Sequence, residues 1–180
     1  MTYQFIKNFL VEGKPNSLSI KKLPYELADL TPVFTQEALD YHYNSLAKTY
    51  AKRYNAGEGD MKFNEAGVFL HNLLFEQFQS SLQTSAPSDQ SLELITKHYS
   101  TFAKFKQEFA KVAMSIQGSG WCYLSTNGTI KTIKNHEIKN DIALLVDWWE
   151  HAWWDYKSDK KGYLDNQWSI INWDVINQRL

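Results

Sequence analysis

Asp147 and His151 stand four positions apart in Asp147-Trp148-Trp149-Glu150-His151-Ala152-Trp153-Trp154, directly behind the apolar run Ile142-Ala143-Leu144-Leu145-Val146. A run that short predicts a buried strand. It leaves Asp147 at the strand's end, where a carboxylate is costly unless paired or bound to a cation. A carboxylate and an imidazole set close together and shielded by indole rings are donors that a buried transition-metal site uses. An Asp–His hydrogen bond in an aromatic core is the plainer alternative, and on this segment alone it is favoured. Four further histidines, His42, His71, His98 and His136, bear on the choice.

His42, Leu46 and Tyr50 fall at i, i+4 and i+8 of a helix predicted over about 36–54, with Thr35 as its N-cap. One face of that helix therefore carries an imidazole with a phenol two turns on. A second helix, with Asn64 as N-cap candidate, is marked by Val68, His71, Leu74, Phe75 and Phe78 and runs to about 79. Gly67 lies one turn before His71 on the same face. Glycine in a helix costs about 1 kcal/mol relative to alanine, so some other group needs that space. The Gly-rich turn Asn55 to Asp60 joins the helices, which predicts an antiparallel hairpin. If the hairpin packs on the strand end, His42, His71, Asp147 and His151 converge as three imidazoles and one carboxylate. For a single histidine, a surface or hydrogen-bonded core role is commoner than ligation. His98, between Lys97 and Tyr99, stays in that class, and His136, beside Asn135 in a loop, is ambiguous.

The rest of the chain must position these groups. Its 180 residues fit one domain or two small lobes sharing a core. Pro15, Pro24 and Pro32 make the first 34 residues extended or turn-rich, with 1–21 as a leading arm. The stretch Ser80 to Gln90 reads as a linker, dividing a helical-hairpin domain (22–84) from a C-terminal domain (85–180). In the latter, Ser91 to Ser115 predicts an amphipathic helix or helix pair. Trp121 to Leu124, a Thr126-Asn127-Gly128 turn and Thr129 to Ile133 predict a β-hairpin. Ile142 to Val146 adds a third strand, and a last helix covers about Leu164 to Asn177. The expected fold class is α+β: an N-terminal antiparallel helical hairpin plus a C-terminal α/β lobe, its small three-stranded antiparallel sheet flanked by helices.

Composition narrows the function. A net charge of −1 argues against nucleic acid or a membrane surface as partner. Aromatic residues make up 15 % of the chain, and its seven Trp give the C-terminal half a dense aromatic interior. Cys122 is the only cysteine, which rules out an intramolecular disulfide and a thiolate-type structural zinc site, and points to a reducing compartment. No apolar run approaches the roughly 20 residues of a membrane span. Met1 to Ser19 is too interrupted for a signal-peptide core and has no Arg, against a transit peptide. The expected location is the cytoplasm, with an organellar matrix as the other compartment the sequence allows.

Several ordered segments carry a family resemblance. They are Leu23-Pro24-Tyr25-Glu26-Leu27, Tyr41-His42-Tyr43 with Tyr50, Phe63-Asn64 with His71, Phe102-Ala103-Lys104-Phe105-Lys106 and Gly118-Ser119-Gly120-Trp121. Asp147, Trp149, Glu150, His151 and Ala152 then match an Asp-x-Trp-Glu-His-Ala signature, followed by Gly162-Tyr163-Leu164 and Asn172-Trp173. Together these resemble the iron/manganese superoxide dismutase family, from about Lys22 to the C-terminus. The resemblance implies that His42, His71, Asp147 and His151 are the four protein ligands of one iron or manganese ion per subunit, with a water or hydroxide fifth. It implies superoxide as substrate, a homodimer joined through Glu150, and Trp121 and Trp149 beside the metal pocket.

The same resemblance marks departures. Family members set a glutamine near the metal, from the second helix or from the inter-strand loop. Gly67 occupies the helical position here, so the loop residue His136 is the expected replacement, and the metal preference stays open. Leu46 stands where the family commonly has a histidine that pairs with the gateway tyrosine, here Tyr50. Trp153-Trp154 replaces Tyr-Tyr and removes a hydroxyl that normally bonds across the dimer. Lys48, Lys52 and Lys160 are candidates for steering the anion. The rival expectation is a family member that keeps fold and metal but acts as a low-activity structural or interaction protein.

Overall fold

A computed structural model describes residues 17–180; residues 1–16 of the expected leading arm lie outside the described residues. The first long helix, α1, is continuous in three pieces: α-helical Gln36–Asp40, π-helical Tyr41–Ala47 and α-helical Lys48–Ala56. Thr35 caps its start, its side chain accepting the Ala38 N–H, and Gly57 at φ 70 ends it in the left-handed conformation that glycine adopts without strain. Helix α2, Met61–Glu76, returns antiparallel to α1 and is buried without a break from Ala66 to Phe75. Its cap is Asp60, whose carboxylate accepts the Phe63 N–H at 3.0 Å, and not Asn64. Asn64 is instead buried inside the first turn and donates to Glu58 O across the loop. A side chain at the loop's last position captures the free N–H groups first, which starts the helix one turn earlier than expected.

Within the segment read as a linker, Ser85 Oγ bonds Trp168 O at 2.8 Å and Ile171 O at 2.7 Å. Helices α3 (Asp89–Tyr99) and α4 (Phe102–Met114) form a pair, broken at Ser100, where φ is 68. Strands β1 (Gly120–Ser125), β2 (Ile130–Lys134) and β3 (Ile142–Asp147) make an antiparallel sheet of order β2-β1-β3. Gly128, at φ 87, turns the chain between β1 and β2, while Asn127 keeps an ordinary φ. The expected Asn-Gly turn thus forms with one left-handed residue, outside the two-residue hairpin type that needs two.

Beyond β3 comes a 3₁₀ segment, Glu150–Tyr156, then helices α5 (Lys160–Gln167) and α6 (Trp173–Arg179). The single last helix expected from periodicity is therefore two. It breaks because residues 170–172 pair with the end of the hairpin: Gln79 N–H donates to Ile170 O and Asn172 N–H to Gln77 O, both at 2.8 Å. The second helix likewise ends at Glu76, not 79, since 77–79 form the other half of that contact. Gln77 goes further. Its buried amide donates to Leu145 O at 2.5 Å and accepts the Leu145 N–H at 3.0 Å, tying α2 to the open edge of β3. Behind the sheet, Phe102, Phe105 and Phe109 meet Trp168 and Trp173 with ring centroids 5.3–5.9 Å apart. That cluster is the aromatic interior the tryptophan content called for.

Candidate metal centre

Four elements converge where the helical hairpin meets the end of β3. His42 projects from the π-helical piece of α1, a backbone form that recurs at functional sites. His71 lies on a stripe of α2 formed by Phe63, Gly67, His71 and Phe75 at successive intervals of four. Asp147 closes β3, opposite Trp121 in the β1 register. His151 follows in the first turn of the 3₁₀ segment. Each group is aimed by a backbone contact or by packing. The His71 Nδ1–H donates to Gly67 O at 2.7 Å; a carbonyl only accepts, so Nε2 carries the free lone pair. Asp147 Oδ1 accepts the Trp149 N–H at 2.8 Å, which leaves Oδ2 facing the histidines. The Tyr163 hydroxyl holds the Asp147 backbone carbonyl at 2.7 Å, and Phe75 packs against both His42 and His71.

His42 Nε2 and His151 Nε2 each lie 3.3 Å from Asp147 Oδ2, and His71 Nε2 lies 3.9 Å from it. One donor atom from each of the four residues falls within 4.8 Å of all the others. None of these four atoms has a hydrogen-bond partner, although each is buried. Buried polar groups are normally paired, and four orphans facing one point mark a place for a cation. Burial lowers the His42 pKa and pushes that of His71 well down, favouring neutral imidazoles. Burial would raise Asp147, but His151 and His42 more than offset it and hold the carboxyl well below its usual range. Three imidazole nitrogens and one carboxylate oxygen are a donor set that suits iron or manganese in either the divalent or the trivalent state.

The sequence agrees with this geometry. The family described as iron/manganese superoxide dismutases, C-terminal domain, matches residues 87–179, and the corresponding alpha-hairpin domain matches residues 17–67. The chain belongs to the iron/manganese superoxide dismutase family. An iron superoxide dismutase of Bacteroides fragilis is 32 % identical, covering 88 % of this chain and 97 % of its own length. A manganese/iron enzyme of Porphyromonas gingivalis is also 32 % identical, over 87 % of this chain and 96 % of itself. An iron enzyme of Saccharolobus solfataricus is 31 % identical, over 88 % and 90 %.

Around the four donors, this superoxide dismutase family member builds a second ring of contacts. His136 is buried between Tyr50 (ring centroids 4.8 Å), Phe63 (4.6 Å) and Trp149, on which it stacks at 4.6 Å. Trp121 donates its Nε1–H to His136 Nδ1 at 3.2 Å and sets its ring edge-on to His71. Leu46 is half-buried on α1, and Glu150 is exposed beside His151. The tryptophans that looked like one aromatic shield divide. Trp149 lines the site, Trp148 is buried beside Tyr163, Trp153 is half-buried, and Trp154 is 73 % exposed. Lys160 lies over the Trp153 ring at 4.5 Å, and the exposed Lys48 over that of Tyr43 at 4.6 Å. His98 stays outside the site, its ring against Gly128 in the hairpin turn. Phe63 and Phe75, read from the sequence only as a resemblance segment and a helix marker, also line the centre; their spacing of eight and four from His71 was the signal for that. No helix among the described residues is long and apolar enough to cross a membrane.

Proposed function

We propose that this chain is a superoxide dismutase in which His42, His71, Asp147 and His151 hold one iron or manganese ion per subunit. The observation that carries the assignment is the set of four buried donor atoms, mutually close and all unpartnered. A bound ion of either metal supplies one-electron cycling, so that one superoxide is oxidised to dioxygen and a second takes one electron and two protons to become hydrogen peroxide. The protein's part is to orient the donors, exclude competing chemistry and keep protons in defined places.

Tyr50 keeps its proton. Burial, then the charge of Asp147, raises its phenol to about 12, so at neutral pH it acts as a donor beside His71. His136 takes the position of the family's glutamine. Indole N–H only donates, so the Trp121 contact requires a lone pair on His136 Nδ1 and places the proton on Nε2. Burial lowers the His136 pKa to about 4, which keeps the ring neutral and Nε2 a fixed donor in the wall of the site. Gly67 supplies room for the Tyr50 ring and the carbonyl that aims His71.

A two-fold homodimer through the face carrying Glu150 and Trp154 is part of the proposal. Its support is the indole of Trp154, 73 % exposed and lining one surface concavity with Glu150 and Trp153. A cytoplasmic location accords with the lone buried thiol of Cys122. Metal analysis combined with a superoxide-decay assay tests the central claim: bound iron or manganese should accompany catalytic decay. Protein that carries the ion yet adds nothing beyond the free ion would overturn the enzyme reading in favour of a structural family member.

A further inference from the structure

His42 reaches the centre from the N-terminal hairpin, whereas Asp147 and His151 reach it from the C-terminal lobe. Lone pairs and a carboxylate aimed at one point repel until a cation lies among them, so these donors cannot tie their own elements together. Asp155 supplies a tie that does not involve the metal. Its Oδ2 accepts the Thr35 N–H at 2.8 Å, and both of its oxygens accept the Thr35 hydroxyl, at 3.0 and 2.9 Å. Thr35 is the N-cap of α1, and its Oγ1 also accepts the Ala38 N–H at 3.1 Å. The neighbouring Tyr156 hydroxyl donates to Val33 O at 2.6 Å, a second stitch between the same two segments.

The placement matters because each partner shares an element with a donor. Asp155 and His151 lie four residues apart in the Glu150–Tyr156 segment, on either side of a kink at Trp153 (φ −111, ψ 22), and the segment's other end is held by the Trp149 N–H on Asp147 Oδ1. Thr35 begins the helix that carries His42, and the His42 and His151 rings stand 4.6 Å apart, centroid to centroid. The clasp therefore closes a loop whose other closure is the metal centre itself. A site preset in this way spends none of its binding energy on docking one lobe against the other.

We propose that Asp155 is a positioning residue of the metal centre: its clasp on Thr35 presets the spacing of His42 and His151 and slows loss of the ion. The inference rests on the ligand assignment above. Its test is chelator-driven metal release from purified holoprotein, read beside the melting temperatures of metal-loaded and metal-free protein. Asp155→Ala should release metal about tenfold faster than wild type, the low end of what losing a supporting contact outside the ligands does to a metal site. The gap between loaded and metal-free melting temperatures should narrow. Asp155→Asn, which keeps one acceptor for the Thr35 N–H, should fall between the two, and Thr35→Ser, which keeps both donors, should match wild type. If Asp155→Ala does not fold, Asp155→Asn against Thr35→Val decides the same question. Equal losses of melting temperature in both forms, with unchanged release, would show a purely structural contact and overturn the proposal. His42→Ala is the control for the underlying assignment: if it holds metal as well as wild type does, the ligand set itself is wrong, whatever Asp155→Ala shows.

Discussion

The ring of Tyr50 rests on the backbone of Gly67: a methyl group built on that glycine would lie 2.7 Å from Tyr50 Cγ and 3.0 Å from both Cδ atoms. Real Cβ atoms do not approach that closely, and Cγ is the root of the ring, not a flexible end. The helix tolerates the glycine because two functions share the site, the seat for Tyr50 and the carbonyl that accepts the His71 Nδ1–H.

Gly67→Ala should therefore fail as a stabilising change. Helix propensity offers about 1 kcal/mol in its favour, but overpacking a filled site costs about 1–3 kcal/mol. Thermal unfolding should show no gain, and superoxide turnover should fall because Tyr50 must swing away from His71. A more stable protein of unchanged activity would show that the close approach has no role.

His136 gives a pH prediction. Its folded pKa is lowered from 6.5 to about 4, chiefly by burial, so the folded state resists its protonation. The stability this represents is fully present above pH 6.5 and is lost as pH falls toward 4. At about 1.4 kcal/mol per pH unit it amounts to roughly 3 kcal/mol. His136→Gln should flatten that acid-side decline while still offering an oxygen to the Trp121 N–H and an N–H to the site. His136→Ala should leave the Trp121 donor buried and unpaired, at about 1–3 kcal/mol. Denaturant unfolding across pH 4–7 checks both. An undiminished acid decline in His136→Gln would place the titrating group elsewhere.

The parts of the site legible in the sequence are those written in local pattern. The short apolar run put Asp147 at a strand end, and helical spacing put His42 with Tyr50 and Gly67 with His71. What local pattern does not encode is where a helix yields to a distant partner. The break between α5 and α6 and the early end of α2 come from one pairing of residues 77–79 with 170–172. The start of α2 was misplaced for a smaller reason: Asp60 and Asn64 are both capping residue types, and only geometry shows which is free to turn inward. The π-helical stretch around His42 has no signature in residue type at all. Trp148, Trp149 and Trp154 look alike in sequence, yet the chain leaving β3 carries them in turn into the core, the site wall and the open surface.

Gln77 carries the last prediction. In the order β2-β1-β3, strand β3 has one side without a neighbouring strand, and the Leu145 N–H and C=O turn toward that side. An open edge buried in a protein must be covered or paired. The Gln77 amide pairs it, presenting one donor and one acceptor as a strand would, while Arg179 adds a donor to the same Oε1 at 3.3 Å. Gln77→Met keeps the length and loses both bonds, stranding two buried backbone groups at about 1–3 kcal/mol each. The expected loss is thus roughly 2–6 kcal/mol in denaturant unfolding. Gln77→Glu keeps the acceptor for the Leu145 N–H but sets a carboxylate against the Leu145 carbonyl, and should be no better. Asp147 ends the same strand two residues on, so Gln77→Met should also release metal faster than a core variant of equal stability loss. A change below about 0.5 kcal/mol, the range of a neutral surface substitution, would mean that solvent reaches the β3 edge and that Gln77 is not what seals it.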